Sequence, residues 1–196
     1  NCVNNSHFKV LTTLTGSPDE AIYFDKWGRE IATQIKQFNG SWNQSEQTYD
    51  HMGRKSHTYD ADALAATEVR YDKLGRKIRS YEANEGTLCW NYGSTAHAGN
   101  KAAGKLLSTA KYAGSSQACS TSSTAAIKKT FNYDSLSRPS NTVTTTAGVS
   151  YSQAQSYDSY SRPLVTTYPA GTASFAVKNV YNSYGYLSEV RNNATN

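Results

Sequence analysis

The stretch Tyr71-Asp72-Lys73-Leu74-Gly75-Arg76 decides the fold, because related six-residue segments recur along the chain. We number these segments turns 1 to 6 in chain order: Phe24-Asp25-Lys26-Trp27-Gly28-Arg29, Tyr49-Asp50-His51-Met52-Gly53-Arg54, Tyr71-Asp72-Lys73-Leu74-Gly75-Arg76, Tyr133-Asp134-Ser135-Leu136-Ser137-Arg138, Tyr157-Asp158-Ser159-Tyr160-Ser161-Arg162 and Tyr181-Asn182-Ser183-Tyr184-Gly185-Tyr186. Counted between their aromatic residues, the steps are 25, 22, 62, 24 and 24 residues. Recurrence at roughly 20–50 residues is typical of repeat proteins, whose units bury their apolar faces against neighbouring units.

Each segment has the composition of a β-hairpin turn. An aromatic residue favours a strand, Asp favours the first position of a turn, and Gly tolerates the left-handed backbone conformation. In turn 3 this order predicts a type I turn over Asp72 to Leu74, with Gly75 at a β-bulge and Arg76 opening the returning strand. An exposed Asp–Arg pair across such a turn contributes roughly 0–1 kcal/mol. The predicted fold class is therefore all-β, with tandem hairpins forming an extended, twisted antiparallel sheet.

Three turns depart from this pattern. Turns 4 and 5 carry Ser137 and Ser161 in place of Gly, which costs about 1 kcal/mol each if the left-handed conformation is kept. In both turns the Arg is followed by proline, Pro139 or Pro163, which lacks a backbone donor and predicts an edge strand or a bend. Turn 6 has neither the Asp nor the Arg, so we expect it to be the softest of the six turns.

We interpret residues 1–196 as one region of hairpin repeats. The predicted repeats lie near 20–40, 45–60, 68–81, 128–146, 153–169 and 175–191. A degenerate repeat near 88–112, with a turn lengthened by residues 94–103, occupies the long step, and the Ser/Thr/Ala-rich residues 113–127 predict a surface loop. The motif residues to which we assign a structural role are Phe24, Asp25, Gly28, Arg29, Tyr49, Asp50, Gly53, Arg54, Tyr71, Asp72, Gly75, Arg76, Tyr133, Asp134, Arg138, Tyr157, Asp158, Arg162, Tyr181 and Gly185.

The composition favours a thin aromatic sheet over a thick hydrophobic core. The 196 residues include 15 Tyr, 5 Phe and 3 Trp, hydrophobic residues make up 37%, and the net charge is +5. Few aliphatic residues argue against a solid core, whereas many aromatic residues and a modest charge argue against disorder. No apolar run approaches the roughly 18 residues of a membrane span, and Asn1 to Asn5 lack a secretion-signal pattern. Without an initiating Met, we expect a processed chain or a piece of a longer one.

The chain has three cysteines, Cys2, Cys89 and Cys119. A disulfide between Cys89 and Cys119 fits an oxidising compartment, and three free thiols are the alternative. The sequence alone leaves both states open.

Residue patterns that would indicate catalysis or metal binding are absent. His51 and His57 lie near Asp50 and Asp60, but their spacing matches no standard metal-ligand pattern, and one carboxylate per turn falls short of a calcium loop. There is no Gly-x-Ser-x-Gly, no His-Glu-x-x-His and no phosphate-binding glycine loop. The basic residues are spread through the turns instead of forming a patch, which argues against nucleic-acid binding. We therefore predict a non-enzymatic protein without metal, cofactor or nucleic acid.

The recurring aromatic-Asp-x-x-Gly-Arg segment resembles the YD repeats of Rhs proteins, which also occur in the B and C components of insecticidal toxin complexes and in teneurins. The likeness covers roughly residues 20–191, weakens between 82 and 128, and includes the connector Tyr168-Pro169-Ala170-Gly171. The resemblance implies that the hairpins join into a spiralling β-sheet, a hollow shell that encloses a toxic C-terminal domain in the bacterial family. The C-terminal core motif of that family, with its aspartate autoprotease site, is absent here, so no catalytic role is carried over. The matching motif positions are structural in the family as well.

The leading hypothesis is therefore a non-catalytic segment of a large secreted or cell-surface protein, bacterial rather than eukaryotic, that forms part of a shell around a toxin or polypeptide cargo. Its expected partners are the remainder of its own shell, the cargo domain, or another chain joined through the sheet edges. The alternative is an adhesion or carbohydrate-binding module that uses exposed Trp42, Trp90 and tyrosines to bind glycans. Aromatic residues on a sheet more often pack across strands than bind sugars, which favours the shell.

Overall fold

The computed structural model describes residues 5–60, 65–83, 85–99, 101–114, 119, 125–170 and 173–193. The chain forms two compact units: the N-terminal unit, Asn1–Leu88 with Ala113–Cys119, and the C-terminal unit, Cys89–Tyr112 with Ser120–Asn196. Cys2, Gly171 and most of the predicted loop at 113–127 lie outside the described residues.

The described residues form fifteen β-strands and one short 3₁₀ helix. The first eight strands are β1 (Phe8–Thr12), β2 (Glu20–Phe24), β3 (Glu30–Lys36), β4 (Trp42–Tyr49), β5 (Lys55–Asp60), β6 (Ala65–Tyr71), β7 (Lys77–Glu82) and β8 (Gly86–Tyr92). After the 3₁₀ helix (Thr95–His97) come β9 (Leu106–Tyr112), β10 (Ile127–Tyr133), β11 (Pro139–Thr146), β12 (Val149–Tyr157), β13 (Pro163–Ala170), β14 (Ala173–Tyr181) and β15 (Leu187–Asn192).

The strands follow one another in hydrogen-bonded order from β1 to β15. Within the N-terminal unit, turns 1, 2 and 3 join β2 to β3, β4 to β5 and β6 to β7, and each of these pairs is antiparallel. Within the C-terminal unit, turns 4, 5 and 6 join β10 to β11, β12 to β13 and β14 to β15 in the same way. The predicted all-β fold of tandem antiparallel hairpins is confirmed.

Alternation of strand direction places the turns of each unit on a common side. Because consecutive strands run in opposite directions, every turn from an even-numbered strand to the next odd-numbered one lies at the same end of the strands. The register of each of these hairpins also shifts by one residue next to the aromatic residue of its turn. The turns of each unit thus lie at the same end of the strands, and each has the same one-residue shift in strand register beside it.

Among the described residues, the buried cluster of each unit is small. In the N-terminal unit, Ala21 and Tyr23 on β2 pack with Ala32 on β3, and all three are at most 2% exposed. In the C-terminal unit, Cys89 packs with Ala110 and Tyr112. Clusters of this size agree with the composition, which lacks the aliphatic residues of a thick core.

The prolines after turns 4 and 5 lie in interior strands, so the edge-strand alternative for them is wrong. Pro139 begins β11, which pairs with both β10 and β12, and Pro163 begins β13, which pairs with both β12 and β14. The first residue of a strand is a position where proline is tolerated, since the missing N–H interrupts the strand pairing least there. The register irregularities at Asn132/Tyr133 and Gln155/Tyr157, opposite these prolines, fit the predicted bend.

The long step between turns 3 and 4 contains a hairpin with a lengthened turn. Strand β8 ends at Tyr92, the chain passes through the 3₁₀ helix, and β9 begins at Leu106. The amide of Gly93 donates to the carbonyl of Lys105 at 2.8 Å, and the amide of Gly104 donates to the carbonyl of Gly93 at 2.8 Å. The inserted segment folds back closely on Gly93, since a Cβ atom there would lie 2.0 Å from the carbonyl oxygen of Ala102.

We expect Gly93→Ala to destabilise the C-terminal unit, because the added methyl group would overlap backbone atoms of Ala102. Unlike a side chain, these atoms cannot avoid the overlap by a change of rotamer. The free energy of unfolding should fall by about 1–3 kcal/mol in chemical denaturation. Gly99→Ala in the same insertion is the matched control, since a Cβ atom there meets nothing within 4 Å. Equal stability of the two variants would contradict the close approach at Gly93.

Candidate functional site

The backbone of all six turns is closed by the same two hydrogen bonds. The amide of the Asp, or of Asn182 in turn 6, donates to the carbonyl four residues later at 2.8–3.0 Å. The amide of the fifth motif residue donates to the carbonyl of the Asp or Asn at 2.9–3.0 Å. That fifth residue has a positive φ, from 64° at Ser137 and Ser161 to 85° at Gly185, which is the left-handed conformation that Gly adopts at least cost.

The Asp carboxylate satisfies the turn with one oxygen and binds Arg with the other. In turn 2, Asp50 Oδ1 accepts hydrogen bonds from the amides of Met52 and Arg54 at 2.9 and 3.0 Å. Asp50 Oδ2 accepts one from Arg54 Nε at 2.7 Å. Turns 1, 3, 4 and 5 repeat these contacts with Arg29, Arg76, Arg138 and Arg162.

These ion pairs are more buried than the exposed pairs assumed from the sequence. The Asp side chains are between 9% exposed, in turn 1, and 22% exposed, in turn 4. The hydrogen bond from the Arg54 side chain is the main cause that lowers the pKa of Asp50 from 3.8 to about 2. In the other Asp-containing turns burial favours the neutral acid, but hydrogen bonds from the Arg and from two backbone amides outweigh it and hold the pKa of the carboxyl below 3.8, at Asp25, Asp72, Asp134 and Asp158.

The Arg of one turn also lies over the Tyr ring of the next turn. In the N-terminal unit, the guanidinium carbon is 4.4 Å from the ring centroid for Arg29 over Tyr49 and 4.5 Å for Arg54 over Tyr71. In the C-terminal unit, the corresponding distances are 4.2 and 4.1 Å for the pairs Arg138–Tyr157 and Arg162–Tyr181. Contacts of this kind contribute about 0.5–1 kcal/mol at exposed sites and more when desolvated. Each of these Arg residues therefore joins its own turn to the following repeat.

Three of these four Tyr residues, Tyr49, Tyr157 and Tyr181, are also fixed through their hydroxyl groups. Tyr49 donates to the carbonyl of Glu30 at 2.6 Å, and Glu30 directly follows Arg29 of the preceding turn. In the C-terminal unit the hydroxyl groups of Tyr157 and Tyr181 donate to the carbonyls that directly follow the preceding Arg, those of Pro139 and Pro163, at 2.7 and 2.8 Å. The ring and the hydroxyl of one side chain thus both contact the preceding repeat.

Contacts between neighbouring turns account for the serines at the fifth motif position. Arg138 Nη1 donates to Ser161 Oγ at 2.9 Å, which links turn 4 to turn 5. Ser137 Oγ donates to the carbonyl of Lys101 at 3.0 Å. In each case a hydrogen bond to the preceding repeat offsets the cost of the left-handed conformation in a residue with a Cβ atom.

The degenerate repeat and turn 6 keep parts of this arrangement. Lys105 Nζ lies 5.2 Å from the ring centroid of Tyr133, and Tyr133 donates to the carbonyl of Leu106 at 2.8 Å, so Lys105 takes the place of the Arg. In turn 6, Asn182 Oδ1 accepts from the amides of Tyr184 and Tyr186 at 3.0 Å each. The amide side chain therefore preserves the backbone half of the turn without the ion pair.

At the other end of the series, turn 1 carries Phe24 in place of Tyr. Its ring stacks on Phe8 of β1, with the centroids 4.8 Å apart and the planes 12° from parallel. Phe24 has no hydroxyl group to donate to a neighbouring carbonyl. The first ring of the series is thus packed by an aromatic residue and not by a guanidinium group.

The fourth motif position carries a large apolar or aromatic side chain in every turn, a recurrence to which the sequence analysis assigned no role. All six are between 64% and 84% exposed: Trp27, Met52, Leu74, Leu136, Tyr160 and Tyr184. We call these residues the turn tips. The sequence signal that could have identified the turn tips is the recurrence of a large apolar or aromatic residue at the fourth motif position.

The candidate cysteines, Trp42, Trp90 and His57 lie outside the six turns. Cys89 and Cys119 are both disulfide-bonded. Trp42 is 41% exposed at the start of β4, whereas Trp90 is half-buried in β8. His57 Nδ1 lies 3.3 Å from Thr48 Oγ1.

The described residues contain no candidate metal site and no candidate membrane-spanning helix. No three or more His, Cys, Asp and Glu side chains of that part of the chain are grouped so that they could hold a metal ion. No helix in the same part is long and apolar enough to cross a membrane.

A cleft of about 590 Å³ opens beside turn 1. Its lining includes His7, Asp25, Trp27, Arg29 and Tyr49. The carboxylate of Asp25 and the guanidinium of Arg29 bind each other, so both are already engaged in the turn.

The stability that Asp50 contributes should depend on pH in a defined window. Because the pKa of Asp50 is lower in the folded chain, this stability is complete above about pH 4 and is lost as the pH falls through about 2. Asp50→Asn removes the charge but keeps an oxygen that accepts the turn amides, as Asn182 does in turn 6. The melting temperature of this variant should lie below that of the original chain at neutral pH and approach it near pH 2. A difference that stays constant with pH would contradict the charged pair.

Substitution of Ser161 separates backbone strain from the contact between turns. Ser161→Ala keeps a Cβ atom at a φ of 64° and loses the hydrogen bond from Arg138, so we expect a loss of about 1 kcal/mol. Ser161→Gly loses the same bond but relieves the strain, and should stay close to the original stability. Ser159→Ala is the control, because Ser159 is an exposed residue of the same turn. If Ser161→Ala were as stable as Ser161→Gly in chemical denaturation, the proposed balance would be wrong.

The comparisons with known proteins identify similar folds only among solved structures. No protein-family model matches the chain, and no curated protein sequence matches it. The crystal structure of TcdB2-TccC3-Cdc42 aligns with 89% of this chain at 11% sequence identity and a TM-score of 0.50. The Photorhabdus luminescens Tc holotoxin pore with a mutated TccC3, and TcdB2-TccC3 without its hypervariable C-terminal region, each align with 90% of this chain at 10% identity, with TM-scores of 0.20 and 0.21.

This chain spans 11–15% of the length of those chains. At 11% identity the likeness concerns the backbone arrangement alone. In its fold, this chain of tandem β-hairpins is similar to a segment of the TcdB2-TccC3 toxin protein.

Proposed function

We propose that this chain is a non-catalytic structural segment of a large secreted or cell-surface YD-repeat protein, where it forms part of a β-shell that encloses a toxin or polypeptide cargo. The observation that carries the proposal is that, within each unit, the Arg of one turn lies over the Tyr ring of the next turn, and the hydroxyl groups of Tyr49, Tyr157 and Tyr181 also bond the preceding repeat. A wall built of hairpins needs a device that joins one hairpin to the next besides the backbone ladder. The motif residues supply that device.

The chemistry of the motif supports a structural role. The Asp carboxylates accept hydrogen bonds from their own turns and from Arg, so they are occupied in holding the turns together. Each Arg binds the carboxylate of its own turn, and those of turns 1, 2, 4 and 5 also lie over the Tyr ring of the next turn. Side chains with these contacts stabilise the backbone of the turns. The Asp–Arg pair is present in all five turns that have an Asp, so the carboxylate is bound in each of them.

The likeness in fold to a segment of TcdB2-TccC3 supports the assignment to a shell. The turn motif supports it independently, since that motif resembles the YD repeats of Rhs and toxin-complex proteins. Secretion, bacterial origin and the enclosed cargo rest on this resemblance. Expected partners are the rest of the shell and the cargo polypeptide. No contact of the described residues favours the alternative of carbohydrate binding through Trp42 and Trp90, which stays a prediction.

Limited proteolysis of the full-length protein that carries this chain tests the proposal. Enclosed cargo should be cleaved about tenfold or more slowly than the same cargo polypeptide expressed alone, because a protease can cleave only what it can reach. The double variant Arg138→Ala/Arg162→Ala removes two of the contacts between repeats and should speed cleavage of the cargo.

Leu74→Ala is the matched control, because Leu74 is a turn tip that is 76% exposed and lies outside the contacts between repeats. It should leave the protection of the cargo unchanged. Cleavage of the cargo in the unaltered full-length protein at the rate of the free cargo polypeptide would overturn the proposed enclosure.

A further inference from the structure

The turns of the N-terminal unit combine an apolar tip with a basic neighbour. The third and fourth motif residues are Lys26-Trp27 in turn 1, His51-Met52 in turn 2 and Lys73-Leu74 in turn 3. The tips Trp27, Met52 and Leu74 are 69%, 66% and 76% exposed. All three turns lie at the same end of their strands, so the pairs form one row, which we call the basic row.

The positive charge of the basic row is not cancelled by the acids of the turns. Asp25, Asp50 and Asp72 each bind the Arg of their own turn, with N–O distances of 2.7 Å. The returning strands add two exposed lysines beside the row, Lys55 at the start of β5 and Lys77 at the start of β7. The half-buried Glu30 begins β3 and accepts a hydrogen bond from Thr33. Among the described residues at this end of the strands, the four lysines Lys26, Lys55, Lys73 and Lys77 therefore lie beside a single nearby acid outside the turn ion pairs, Glu30.

The three tips protrude at separate points along the row, and of the three only Trp27 lines the cleft beside turn 1. Successive turns are separated by two strands, and strands lie roughly 4.7–4.9 Å apart, so neighbouring tips are about 10 Å from one another. Lys26 Nζ lies 4.3 Å from the ring centroid of Trp27, which places a cation directly against an exposed aromatic ring. A row of separate apolar points with cations beside them is the pattern of surfaces that rest in a lipid headgroup region.

We propose that the basic row is a docking surface for a membrane that contains anionic lipids, with Trp27, Met52 and Leu74 inserted among the headgroups and the lysines paired with phosphate or carboxylate groups. Charge complementarity favours this occupant, because an anionic leaflet attracts each Lys or Arg near its surface. A protein partner would need a surface that fills the spaces between the tips, since protein interfaces are closely packed at their centres. A lipid headgroup layer is fluid and meets separate protrusions without such a fit.

The C-terminal unit differs at the third motif position, which limits the proposal to the N-terminal unit. Its tips Leu136, Tyr160 and Tyr184 follow Ser135, Ser159 and Ser183 instead of basic residues. The same apolar protrusion is present there without the adjacent charge. We therefore assign the docking surface to turns 1 to 3 alone.

Cosedimentation with vesicles tests the proposal, using vesicles of phosphatidylcholine alone and of phosphatidylcholine mixed with phosphatidylserine. The 196-residue chain should bind the mixed vesicles about tenfold or more tightly than the neutral ones, and binding should weaken with added salt. The variant Trp27→Ala/Met52→Ala/Leu74→Ala should lose most of the binding to mixed vesicles. Lys26→Glu/Lys73→Glu should lose it as well.

Phe38→Ala is the matched control. Phe38 is a fully exposed apolar residue between β3 and β4, so it lies at the opposite end of the strands from turns 1 to 3. Circular dichroism should show the same sheet content in all variants. Unchanged vesicle binding after removal of the three tips, or no binding by the unaltered chain, would overturn the proposal and leave the row to a protein partner.

Discussion

The structure depends on an Arg side chain that serves two repeats at once. In turn 2, Arg54 binds Asp50 of its own turn and lies over Tyr71 of the next. The contact that shapes the turn and the contact that positions the following strand therefore involve the same guanidinium group. Because the buried cluster that the described residues of each unit form is small, such contacts provide order that a thick core provides in other proteins. A substitution of this Arg therefore removes contacts both within its own turn and with the next repeat.

The contacts that the sequence predicts are those between residues close together in the chain. The turn itself was predictable, because Asp72 and Gly75 act on backbone groups within four residues. The contact between Arg and the next Tyr was not, since its partner lies 20 residues away in turn 1 and 17 in turn 2, and only the strand pairing brings them together. Ser161 shows the same limit: its Gly-like conformation is understandable only with Arg138 beside it.

Two departures show what the motif requires. Turn 6 keeps its backbone hydrogen bonds because Asn182 has the one oxygen that the amides need, although it has no charge. The function of the Asp is thus divided between its oxygens, with Oδ1 serving the turn and Oδ2 serving the Arg. The prolines after turns 4 and 5 show a similar division, because each lacks the backbone donor but keeps the carbonyl acceptor that the next repeat uses. Pro139 gives up a donor at the start of its strand but still offers its carbonyl to Tyr157.

The motif therefore separates into positions with different freedom. The first, second, fifth and sixth positions are constrained by the turn and by the contact with the next repeat. Lys105 keeps the contact with the following ring in another form, Asn182 keeps only the hydrogen bonds of the turn, and Ser161 adds a hydrogen bond from Arg138. The third and fourth positions face solvent at the end of the hairpin, where the fold demands little of them. Their side chains nevertheless differ systematically, since the third position is basic in turns 1 to 3 and Ser in turns 4 to 6. Because the fold does not require this difference, the third and fourth positions are where we expect a surface function that is specific to one unit.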